Sequence, residues 1–532
     1  MLSWGGQSST LSGVPSRPPL RPRQVTPRLL TELAQSLGVP APVTDTAVSG
    51  VTHDSRKVQP GDLFAALPGA LTHGVKFVAQ AEAAGAAAIL TDHGGAGRLS
   101  TELPVLAVDD PRSRLGELAA SIYGRPADNL LMLGVTGTNG KTTTAYLIES
   151  GLQAAGHRTG LVGTVETRID TERVASVRTT PEAPDVHALL AVMRERGVTA
   201  CVMEVSSHAL VMGRVDGIVF DVAGFTNLSQ DHLDFHRDMA DYFDAKAALF
   251  TPERARRAVV CVDDEYGRRL ADKAQIPIVT VATRDAAGSA DWVVVKRQVS
   301  NSGRTTTVDL EHRGRGGIGT VAPIPGEFNV ANAVLATVML VEAGVSSRDA
   351  VRGLAGCPGV PGRMEIVEST GAFEPLAVVD YAHTPEAIEN VLRALRPSTR
   401  FRLIAVLGAG GDRDPHKRPL MGAAAARHAD VVIVTDDNPR SEDPAAIRAA
   451  VLSGIAQTER PVEVREVASR REAIMAAVDA AEGTGDTVAV LGKGHEQGQE
   501  VAGVVHPFDD RRMLREALER WNDRRDPEVA TQ

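Results

Sequence analysis

A glycine-rich turn between an apolar strand and a helix constrains this chain more than any other feature. Residues 130–136 read LLMLGVT, and residues 137–144 read GTNGKTTT. A buried strand that runs into such a turn and then into a helix directs backbone N–H groups and one ammonium towards the same place. The pattern departs from the common phosphate-loop motif, because Val135 stands where that motif has its first glycine.

We predict that this turn cradles the phosphates of a nucleotide. Lys141 would reach the β- and γ-phosphates, and the Thr142 hydroxyl would contact a bound Mg²⁺. The structural alternative is an ordinary strand-to-helix turn in which the glycines occur by chance. The predicted ATP-binding residues of the turn are Gly137, Thr138, Asn139, Gly140, Lys141, Thr142 and Thr143.

The length of 532 residues is too great for one hydrophobic core and predicts about three domains. Strands alternate with helices along most of the chain, so the predicted fold class is α/β. We expect a small α/β domain over residues 26–128, a central parallel-sheet domain over 129–360 and a Rossmann-like domain over 361–525. Residues 1–25 are rich in Pro, Ser, Gly and Arg, and we expect a disordered tail there.

Composition excludes several classes of protein. A net charge of −10 argues against a general nucleic-acid binder, which normally carries a basic surface. The three cysteines, Cys201, Cys261 and Cys357, have no paired spacing, so neither a disulfide framework nor a zinc site is expected. No apolar run approaches the roughly 18 residues of a membrane helix. We therefore expect a cytoplasmic protein that binds neither nucleic acid nor membrane, and separately we expect a monomer.

Two strand ends in the central domain carry side chains suited to a metal. Glu204 ends the apolar run TACVME, and His232 lies in the polar loop after IVFDVAGF. Ligands of an open parallel sheet bind at the carboxyl ends of its strands, so both residues should converge on the phosphate loop. A carboxylate and an imidazole there suit a divalent cation beside a triphosphate. The alternatives are a carboxylate paired with a nearby arginine and a histidine without a ligand role.

Lysine is rare in this chain, with eight lysines against 49 arginines among the 57 basic residues. Four of the eight, Lys141, Lys246, Lys417 and Lys493, fall within the motifs discussed here, which suggests chemistry that needs an amine. From residue type alone Lys246 would be a surface lysine.

Asn329 and Asn332 lie three residues apart on a predicted helix, where they would either read a nucleotide base or cap the helix start.

The predicted third domain repeats a strand followed by a charged, glycine-bearing loop. The loops read DYAHTPEA, GAGGDRDPHKR, DDNPR and GKGHEQG, and each is expected to precede a helix. A scaffold needs only short neutral connections, so four such loops indicate a second ligand-binding rim. For DNPR the alternative is a turn that merely starts a helix.

Ten ordered motifs give the chain a resemblance to the Mur ligases over roughly residues 50–510. They are GTNGKTT, EVSSH, DHLDFH, YFDAK, FNVANA, GRME, DYAHTP, GGDRD, DDNPR and GKGHE. The resemblance implies a UDP-binding first domain, an ATP-binding central domain and an amino-acid-binding third domain. It also implies peptidoglycan precursor synthesis, in which ATP converts a carboxylate to an acyl phosphate that an amine attacks to form an amide. The implied substrates are UDP-N-acetylmuramoyl-L-alanyl-D-glutamate and meso-2,6-diaminopimelate.

The same resemblance implies roles for individual residues. Lys141, Glu204, His232 and Lys246 would be catalytic, and Thr142, Glu204, His232 and Lys246 would surround two Mg²⁺ ions, with Lys246 carbamylated by CO₂ to N6-carboxylysine. Further ATP contacts would come from Asn329, Arg363, Asp380 and His383. The UDP-linked dipeptide would be held by Ser55, Leu71, Thr72, His73, Arg178, Thr179, Thr180, Ser206, Met212 and Arg214. Diaminopimelate would be held by Arg413, Asp437, Asn438, Pro439, Arg440, Gly492 and Glu496.

The family's diaminopimelate signature is DNPR, in which Arg440 can grip the distal carboxylate of the substrate with two hydrogen bonds. The sequence departs from the family at Arg178, Met212 and Gln230. The competing interpretations are a lysine-adding ligase of the same type, then a D-alanyl-D-alanine-adding ligase or a folylpolyglutamate synthetase. From a different class, the alternative is a phosphate-loop ATPase or kinase.

Overall fold

The computed structural model describes residues 20–176, 178–233, 235–284, 290–300, 304–314, 316–369 and 374–525. Most of the predicted tail, residues 1–19, lies outside the described residues. The chain forms two compact units, one of residues 1–228, 238–291 and 335–353, the other of residues 229–237, 292–334 and 354–532. Among the described residues, no helix combines the length and the apolar character that crossing a bilayer requires.

The strands of the first unit are β1 Arg28–Leu29, β2 Ala47–Val48, β3 Gly50–Thr52, β4 Asp62–Ala65, β5 Ala88–Asp92, β6 Val105–Val108, β7 Leu131–Thr136, β8 Thr159–Val162, β9 Glu166–Ile169, β10 Glu172–Ala175, β11 Ala200–Glu204, β12 Val222–Phe225, β13 Ala258–Cys261 and β14 Ile278–Ala282. Those of the second unit are β15 Trp292–Val299, β16 Thr306–His312, β17 Ile318–Ala322, β18 Glu365–Ile366, β19 Leu376–Asp380, β20 Leu403–Leu407, β21 Val431–Val434, β22 Glu463–Glu466, β23 Thr487–Leu491, β24 Gly498–Val501 and β25 Val504–Pro507.

The α-helices are α1 Leu30–Leu37, α2 Val78–Ala83, α3 His93–Ala96, α4 Pro111–Ile122, α5 Lys141–Ala154, α6 Ala183–Glu195, α7 Ser207–Val211, α8 Met239–Ala247, α9 Glu265–Lys273, α10 Glu327–Glu342, α11 Ser347–Ala355, α12 Pro385–Leu395, α13 Lys417–His428, α14 Pro444–Ile455, α15 Arg470–Ala480 and α16 Asp510–Arg525.

The described part of the first unit contains two sheets that are mainly parallel and one short antiparallel pair, β1 with β2. The smaller has the order β3-β4-β5-β6, and all its pairings are parallel. In the larger, β8, β11, β7, β12, β13 and β14 lie side by side in parallel, and β9 and β10 extend one edge as antiparallel strands. Strand β7 is central and is buried almost throughout, so the turn that follows it opens at the carboxyl edge of the sheet.

The second unit combines an antiparallel meander with a parallel sheet. Strands β15, β16 and β17 form the meander. The other sheet has the order β18-β19-β23-β20-β21-β22, in which only β18 is antiparallel. Apolar residues of α15 and α16 pack against its buried strands and form the core.

One predicted connection in the second unit is wrong. Strand β23 was expected to lead directly into a helix, but a hairpin of β24 and β25 intervenes before α16. Its two turn residues, Ala502 and Gly503, have φ values of 50° and 78°, the left-handed backbone of a tight hairpin turn. Alanine is an unusual residue for that conformation, so the turn carried no recognisable sequence signal.

Candidate active site

The turn after β7 has the backbone geometry of an anion-binding loop. Gly137 and Gly140 have φ values of 146° and 85°, and α5 begins at Lys141. A Cβ atom on Gly137 would lie 1.9 Å from Thr226 Oγ1, so the loop tolerates no side chain there. The loop is tied to its neighbour, because Thr138 N donates to Asn227 O at 2.9 Å and Asn139 N donates to Asn227 Oδ1 at 3.0 Å.

Lys141 folds back over this loop. Its Nζ atom donates to Gly137 O and to Thr138 O, both at 2.9 Å. The ammonium therefore lies above the turn at the helix N-terminus, where a phosphate group would be stabilised by both the charge and the helix dipole.

Glu204 lies at the end of β11 beside the phosphate loop, as predicted. Its side chain is fully buried, and its Oε2 atom accepts a hydrogen bond from Thr142 Oγ1 at 2.9 Å. Thr164 donates its backbone N–H to Oε1 at 2.7 Å and its hydroxyl to Oε2 at 3.0 Å. A buried carboxylate and a hydroxyl at the start of α5 form an oxygen-rich site of the kind that binds Mg²⁺ next to phosphates.

Lys246 is not the surface lysine that residue type alone suggests. It lies on α8, is 1 % exposed, and donates from Nζ to Gly137 O at 2.7 Å. Its ammonium also lies 4.7 Å from the centre of the Tyr242 ring, and the Tyr242 hydroxyl is 3.1 Å from Thr138 Oγ1. This buried amine thus lies directly against the phosphate loop, which arginine's larger planar head group would not fit.

The residues predicted to hold the dipeptide lie around the end of β11. Thr180 Oγ1 donates to Glu204 O at 2.8 Å and accepts from Ser206 N at 3.2 Å, while Thr179 Oγ1 lies 3.0 Å from Thr164 Oγ1. Arg214 donates to Thr180 O at 3.3 Å and to Met212 Sδ at 3.1 Å. The structure therefore brings the predicted set from the central domain together.

Sequence reasoning missed Glu182, which organises the cations of this cluster. Its carboxylate lies 2.5 Å from Arg178, 2.8 Å from Arg214 and 3.5 Å from Arg112. Burial opposes ionisation of Glu182, but Arg214, His53 and the other arginines outweigh it and lower its pKa. The available signal was the spacing RTTPE, in which Arg178 and Glu182 are four residues apart.

The predicted first-domain residues lie on two loops of the small sheet. Ser55 is buried and donates to Gln80 Oε1 at 2.9 Å. His73 accepts from Val75 N at Nδ1 and lies 2.8 Å from Asp92 Oδ2 at Nε2, so it fixes the loop that carries Thr72. Leu71, which is 72 % exposed, lies on the same loop, and its contact with a ligand stays a prediction.

In the second unit the predicted nucleotide residues lie near the ends of β18, β19 and α10. Asp380 accepts from Met364 N at 2.7 Å and Ala382 N at 2.8 Å, and burial raises its pKa. Arg363 lies 4.6 Å from the centre of the Tyr381 ring. Burial lowers the pKa of His383, and nearby Lys417 lowers it further, so the imidazole is neutral near pH 7.

Asn329 and Asn332 form a buried pair at the start of α10. Asn332 Nδ2 donates to Asn329 Oδ1 at 3.1 Å, and Asn329 Nδ2 donates to Pro325 O at 2.8 Å. The second contact ties α10 to the loop before it, and both roles considered for this pair stay predictions. His232 has a φ of 54° and also belongs to the second unit, so its convergence on the phosphate loop stays a prediction.

The DNPR and GKGHE loops meet at the carboxyl edge of the third-domain sheet. Asn438 Nδ2 donates to Glu496 Oε2 at 2.9 Å, and a Cβ atom on Gly492 would lie 2.6 Å from Asp437 Oδ2. Arg440 has a φ of 53° and donates from Nη1 to Gly411 O at 2.5 Å. Its Nε atom lies 3.4 Å from Glu500 Oε2. DNPR is therefore not a helix-starting turn, because α14 begins only at Pro444.

The remaining members of the predicted amino-acid site are also at this edge. Arg413 donates to Asp412 O at 3.5 Å and keeps an exposed side chain, while Pro439 O lies where a side chain on Gly411 would have to be. The hairpin is bonded to the DNPR loop, since Arg440 N donates to Glu500 O at 3.0 Å and Gln499 Nε2 donates to Asp437 O at 2.7 Å. The hairpin was not predicted from the sequence, but it holds the DNPR loop, which was.

The donors fit Mg²⁺ better than a transition metal. Among the residues that the structure describes, no group of three or more His, Cys, Asp or Glu side chains could hold a metal by itself. At Thr142 and Glu204 the available donors are oxygens beside a phosphate loop, and Mg²⁺ is commonly held there by one or two protein oxygens together with substrate phosphates.

Three protein-family models match successive parts of the chain. They are the Mur ligase family catalytic domain over residues 47–123, the Mur ligase middle domain over 135–340 and the Mur ligase glutamate ligase domain over 362–494. The chain is also 57 % identical to a UDP-N-acetylmuramoyl-L-alanyl-D-glutamate--2,6-diaminopimelate ligase of Streptomyces coelicolor, over 94 % of this chain and 98 % of that protein. The chain belongs to the Mur ligase family.

Other comparisons agree with this Mur ligase assignment. A protein of the same name from Corynebacterium glutamicum is 50 % identical over 90 % of this chain and 94 % of its own length. A solved structure of an enzyme with that name is 33 % identical, has a TM-score of 0.66, and covers 93 % of this chain and 99 % of its own. The Mur ligase chain is thus an ATP-dependent ligase with a three-domain α/β architecture, as the ten motifs implied.

Proposed function

We propose that this Mur ligase joins meso-2,6-diaminopimelate to UDP-N-acetylmuramoyl-L-alanyl-D-glutamate during peptidoglycan precursor synthesis. The observation that carries the proposal is the pairing of two sites in one chain. One is a phosphate loop with Lys141 and the Thr142–Glu204 contact, and the other is a DNPR site in which Arg440 stands beside acidic groups. The relatives of this chain that bear the diaminopimelate ligase name support the same substrates.

The first chemical step activates a carboxylate. A carboxylate is a poor electrophile and does not condense with an amine in water, so ATP transfers its γ-phosphoryl group to the substrate's terminal carboxylate and ADP leaves. Lys141 and the N–H groups of the loop stabilise the negative charge of the transferred group. The amine then attacks the acyl phosphate, and phosphate leaves as the amide bond forms.

Thr142 and Glu204 would hold Mg²⁺, which offsets the repulsion between the anionic phosphates and the anionic acceptor. We further propose that Lys246 reacts with CO₂ to form a carbamate. A free ammonium would repel a cation, whereas a carbamate offers it oxygen atoms on the same stem. The burial of Lys246 against Gly137 supports the proposal, because the position adjoins the loop that would hold the phosphates.

Recognition of the amine is assigned to Arg440. L-lysine lacks the distal carboxylate of diaminopimelate, so the guanidinium would keep Glu500 but lose the two hydrogen bonds to substrate. A site built for a charged hydrogen bond rejects an analogue without it by up to about 10⁴-fold. The contacts of Arg440 with Gly411 O and Glu500 hold the guanidinium at this edge before the substrate arrives.

We propose that the enzyme works in the cytoplasm as a monomer on small-molecule substrates. Phosphate release should require both UDP-N-acetylmuramoyl-L-alanyl-D-glutamate and meso-diaminopimelate and should fall by orders of magnitude with L-lysine. The Arg440→Met variant should lose at least about 100-fold in kcat/KM for diaminopimelate while its KM for ATP stays within twofold. Arg471→Met, which changes an arginine that is 57 % exposed in the same unit, is the control.

Three outcomes would contradict the proposal at different levels. Equal rates with the two amines would refute the specificity, and unchanged discrimination in Arg440→Met would refute the role of that arginine. Phosphate release that needs no amine at all would instead favour a phosphate-loop ATPase.

A further inference from the structure

A buried lysine lies beneath the amino-acid site and is not among the residues implied by the resemblance. Lys493 follows Gly492 in the turn after β23, and its side chain is fully buried. A buried ammonium is costly unless its hydrogens find acceptors, so its partners indicate what it does.

The ammonium of Lys493 contacts both loops of the site. Nζ donates to Asn438 Oδ1 at 2.9 Å and to Glu496 Oε2 at 2.9 Å, and it lies 3.9 Å from Asp437 Oδ1. Each of these three partners belongs to the predicted diaminopimelate site. Lys493 thus joins the DNPR loop to the GKGHE loop through one charge.

These contacts determine the orientation of the Asn438 amide. Its oxygen accepts from Lys493 and from Glu500 N at 2.9 Å, so its nitrogen must face Glu496, to whose Oε2 atom it donates at 2.9 Å. Rotating the amide by 180° would place its N–H groups against two other donors. The buried ammonium therefore removes the ambiguity of a side chain that could otherwise point either way.

The same contacts leave one carboxylate oxygen of Glu496 for a ligand. Oε2 accepts from both Lys493 and Asn438, whereas Oε1 takes part in none of the hydrogen bonds that the structure gives among its described residues. The Glu496 side chain is 32 % exposed, so a ligand can reach this carboxylate. Asp437 and Glu496 together carry two negative charges against the one positive charge of Lys493, and the resulting net charge of −1 suits an ammonium group.

We propose that Lys493 is a positioning residue for the amino-acid substrate, whose ammonium binds Glu496 Oε1 because Lys493 and Asn438 hold Oε2. The inference rests on the proposed function and assigns to it a residue that touches no substrate. Arginine cannot take this role, because its larger planar head group does not fit a fully buried position between three side chains.

The test compares Lys493→Met, Lys493→Arg and Lys296→Met in the full chain with all three substrates. Methionine keeps most of the length of the lysine stem and removes the charge, and Lys296 is an exposed lysine on β15 in the same unit. We expect Lys493→Met to raise the KM for diaminopimelate about 10- to 100-fold, as for loss of hydrogen bonds to a charged group. The KM values for ATP and for the UDP-linked dipeptide should change less than twofold, and Lys493→Arg should not restore the amine KM.

A second measurement separates positioning from loss of folding. Glu496→Gln should raise the amine KM by itself, and combining it with Lys493→Met should add less than the product of the two effects, because both act on one carboxylate. Fully multiplicative effects, or an equal rise in all three KM values, would overturn the inference. So would wild-type kinetics in Lys493→Met, since Lys493 would then be dispensable.

Failure of the proposed function would look different. If the wild-type chain released phosphate without any amine, both the proposed function and the inference would fall. If L-lysine were the better substrate, its KM would be measured in place of that of diaminopimelate. The role of Lys493 would then stand or fall on the same comparison of variants.

Discussion

Replacing Glu204 by glutamine should greatly reduce the activity of this enzyme while leaving its stability almost unchanged. The carboxylate accepts from Thr164 N at Oε1, and from the Thr142 and Thr164 hydroxyls at Oε2. A glutamine of the same shape can keep its oxygen towards the Thr164 amide. Its NH₂ group then faces two hydroxyls, which can rotate from donating to accepting. All three hydrogen bonds therefore survive the substitution.

The net effect of Glu204→Gln on stability is small. Three charge-assisted bonds become neutral bonds, which costs about 0.5 kcal/mol each, or about 1.5 kcal/mol in total. The gain from no longer burying a charge has the opposite sign and is also of order 1 kcal/mol or more. We expect a net change within about 1 kcal/mol, which corresponds to a shift of the melting temperature by less than about 4 °C.

Activity should respond very differently to the same change. The substitution removes the negative charge next to the Thr142 hydroxyl, where the cation is proposed to bind. Loss of one such electrostatic contact costs about 4 kcal/mol in the transition state, or roughly 10³-fold in kcat/KM. Phosphate release at saturating Mg²⁺ measures this loss, and differential scanning calorimetry measures the stability.

Glu149→Gln is the matched control, because it makes the same chemical change at another buried carboxylate of the same unit. Glu149 lies on the phosphate-loop helix α5, and the Glu149 side chain is 2 % exposed. One of its carboxylate oxygens is 2.6 Å from Arg168 Nη1. Arg168 keeps Glu166 at 2.5 Å in this variant, so we expect a loss of about 1–2 kcal/mol and a melting temperature lower by about 2–8 °C. Activity below the transition should remain.

The reasoning is refuted if Glu204→Gln keeps more than a tenth of wild-type activity. It is also refuted if the melting temperature of this variant falls by more than about 4 °C, since the loss of activity could then reflect unfolding, or if Glu149→Gln loses as much activity.

Three further predictions concern single positions. Lys246→Ala should be inactive, and short carboxylic acids added to the phosphate-release assay should partly restore its activity, because an acid can supply the oxygens of the proposed carbamate. A fully active variant would exclude the carbamate. Gly137→Ala should abolish ATP binding measured by calorimetry, since the new Cβ atom would lie 1.9 Å from Thr226 Oγ1 at a φ of 146°. Gly156 has a φ of 90° and open space around it, so the control variant Gly156→Ala should bind ATP normally. Burial opposes ionisation of Asp430, but the Leu403 amide, Arg396 and Arg460 outweigh it and lower the pKa of this carboxyl. The ionised carboxylate therefore contributes stability above the ordinary aspartate pKa of about 4, and that contribution is lost as the pH falls through the lowered pKa. Asp430→Asn should therefore flatten the acid side of a stability–pH curve from chemical denaturation, and an unchanged slope would contradict that assignment.

Several features of this protein follow from the sequence alone. The phosphate loop needs glycines at Gly137 and Gly140 and a lysine directly after them, and these local requirements can be read without knowing the fold. Glu204 could be placed because the carboxyl ends of parallel strands share one edge of a sheet. The ten ordered motifs gave the chain its resemblance to the Mur ligases without any knowledge of the fold.

Other features were decided only by tertiary structure. The burial of Lys246 depends on how α8 packs, because its own residue type favours the surface. Glu182 acquires its role by meeting Arg112 and Arg214, which are distant in sequence, and the hairpin β24–β25 has an alanine where a turn residue would have revealed it. Lys493 shows most clearly what a sequence pattern cannot reveal. Its partner Glu496 is only 3 residues away, but its other partner, Asn438, is 55 residues away in sequence. Sequence patterns fix contacts that repeat along a helix or strand, whereas a charge buried between two loops is fixed only when the sheet brings those loops together.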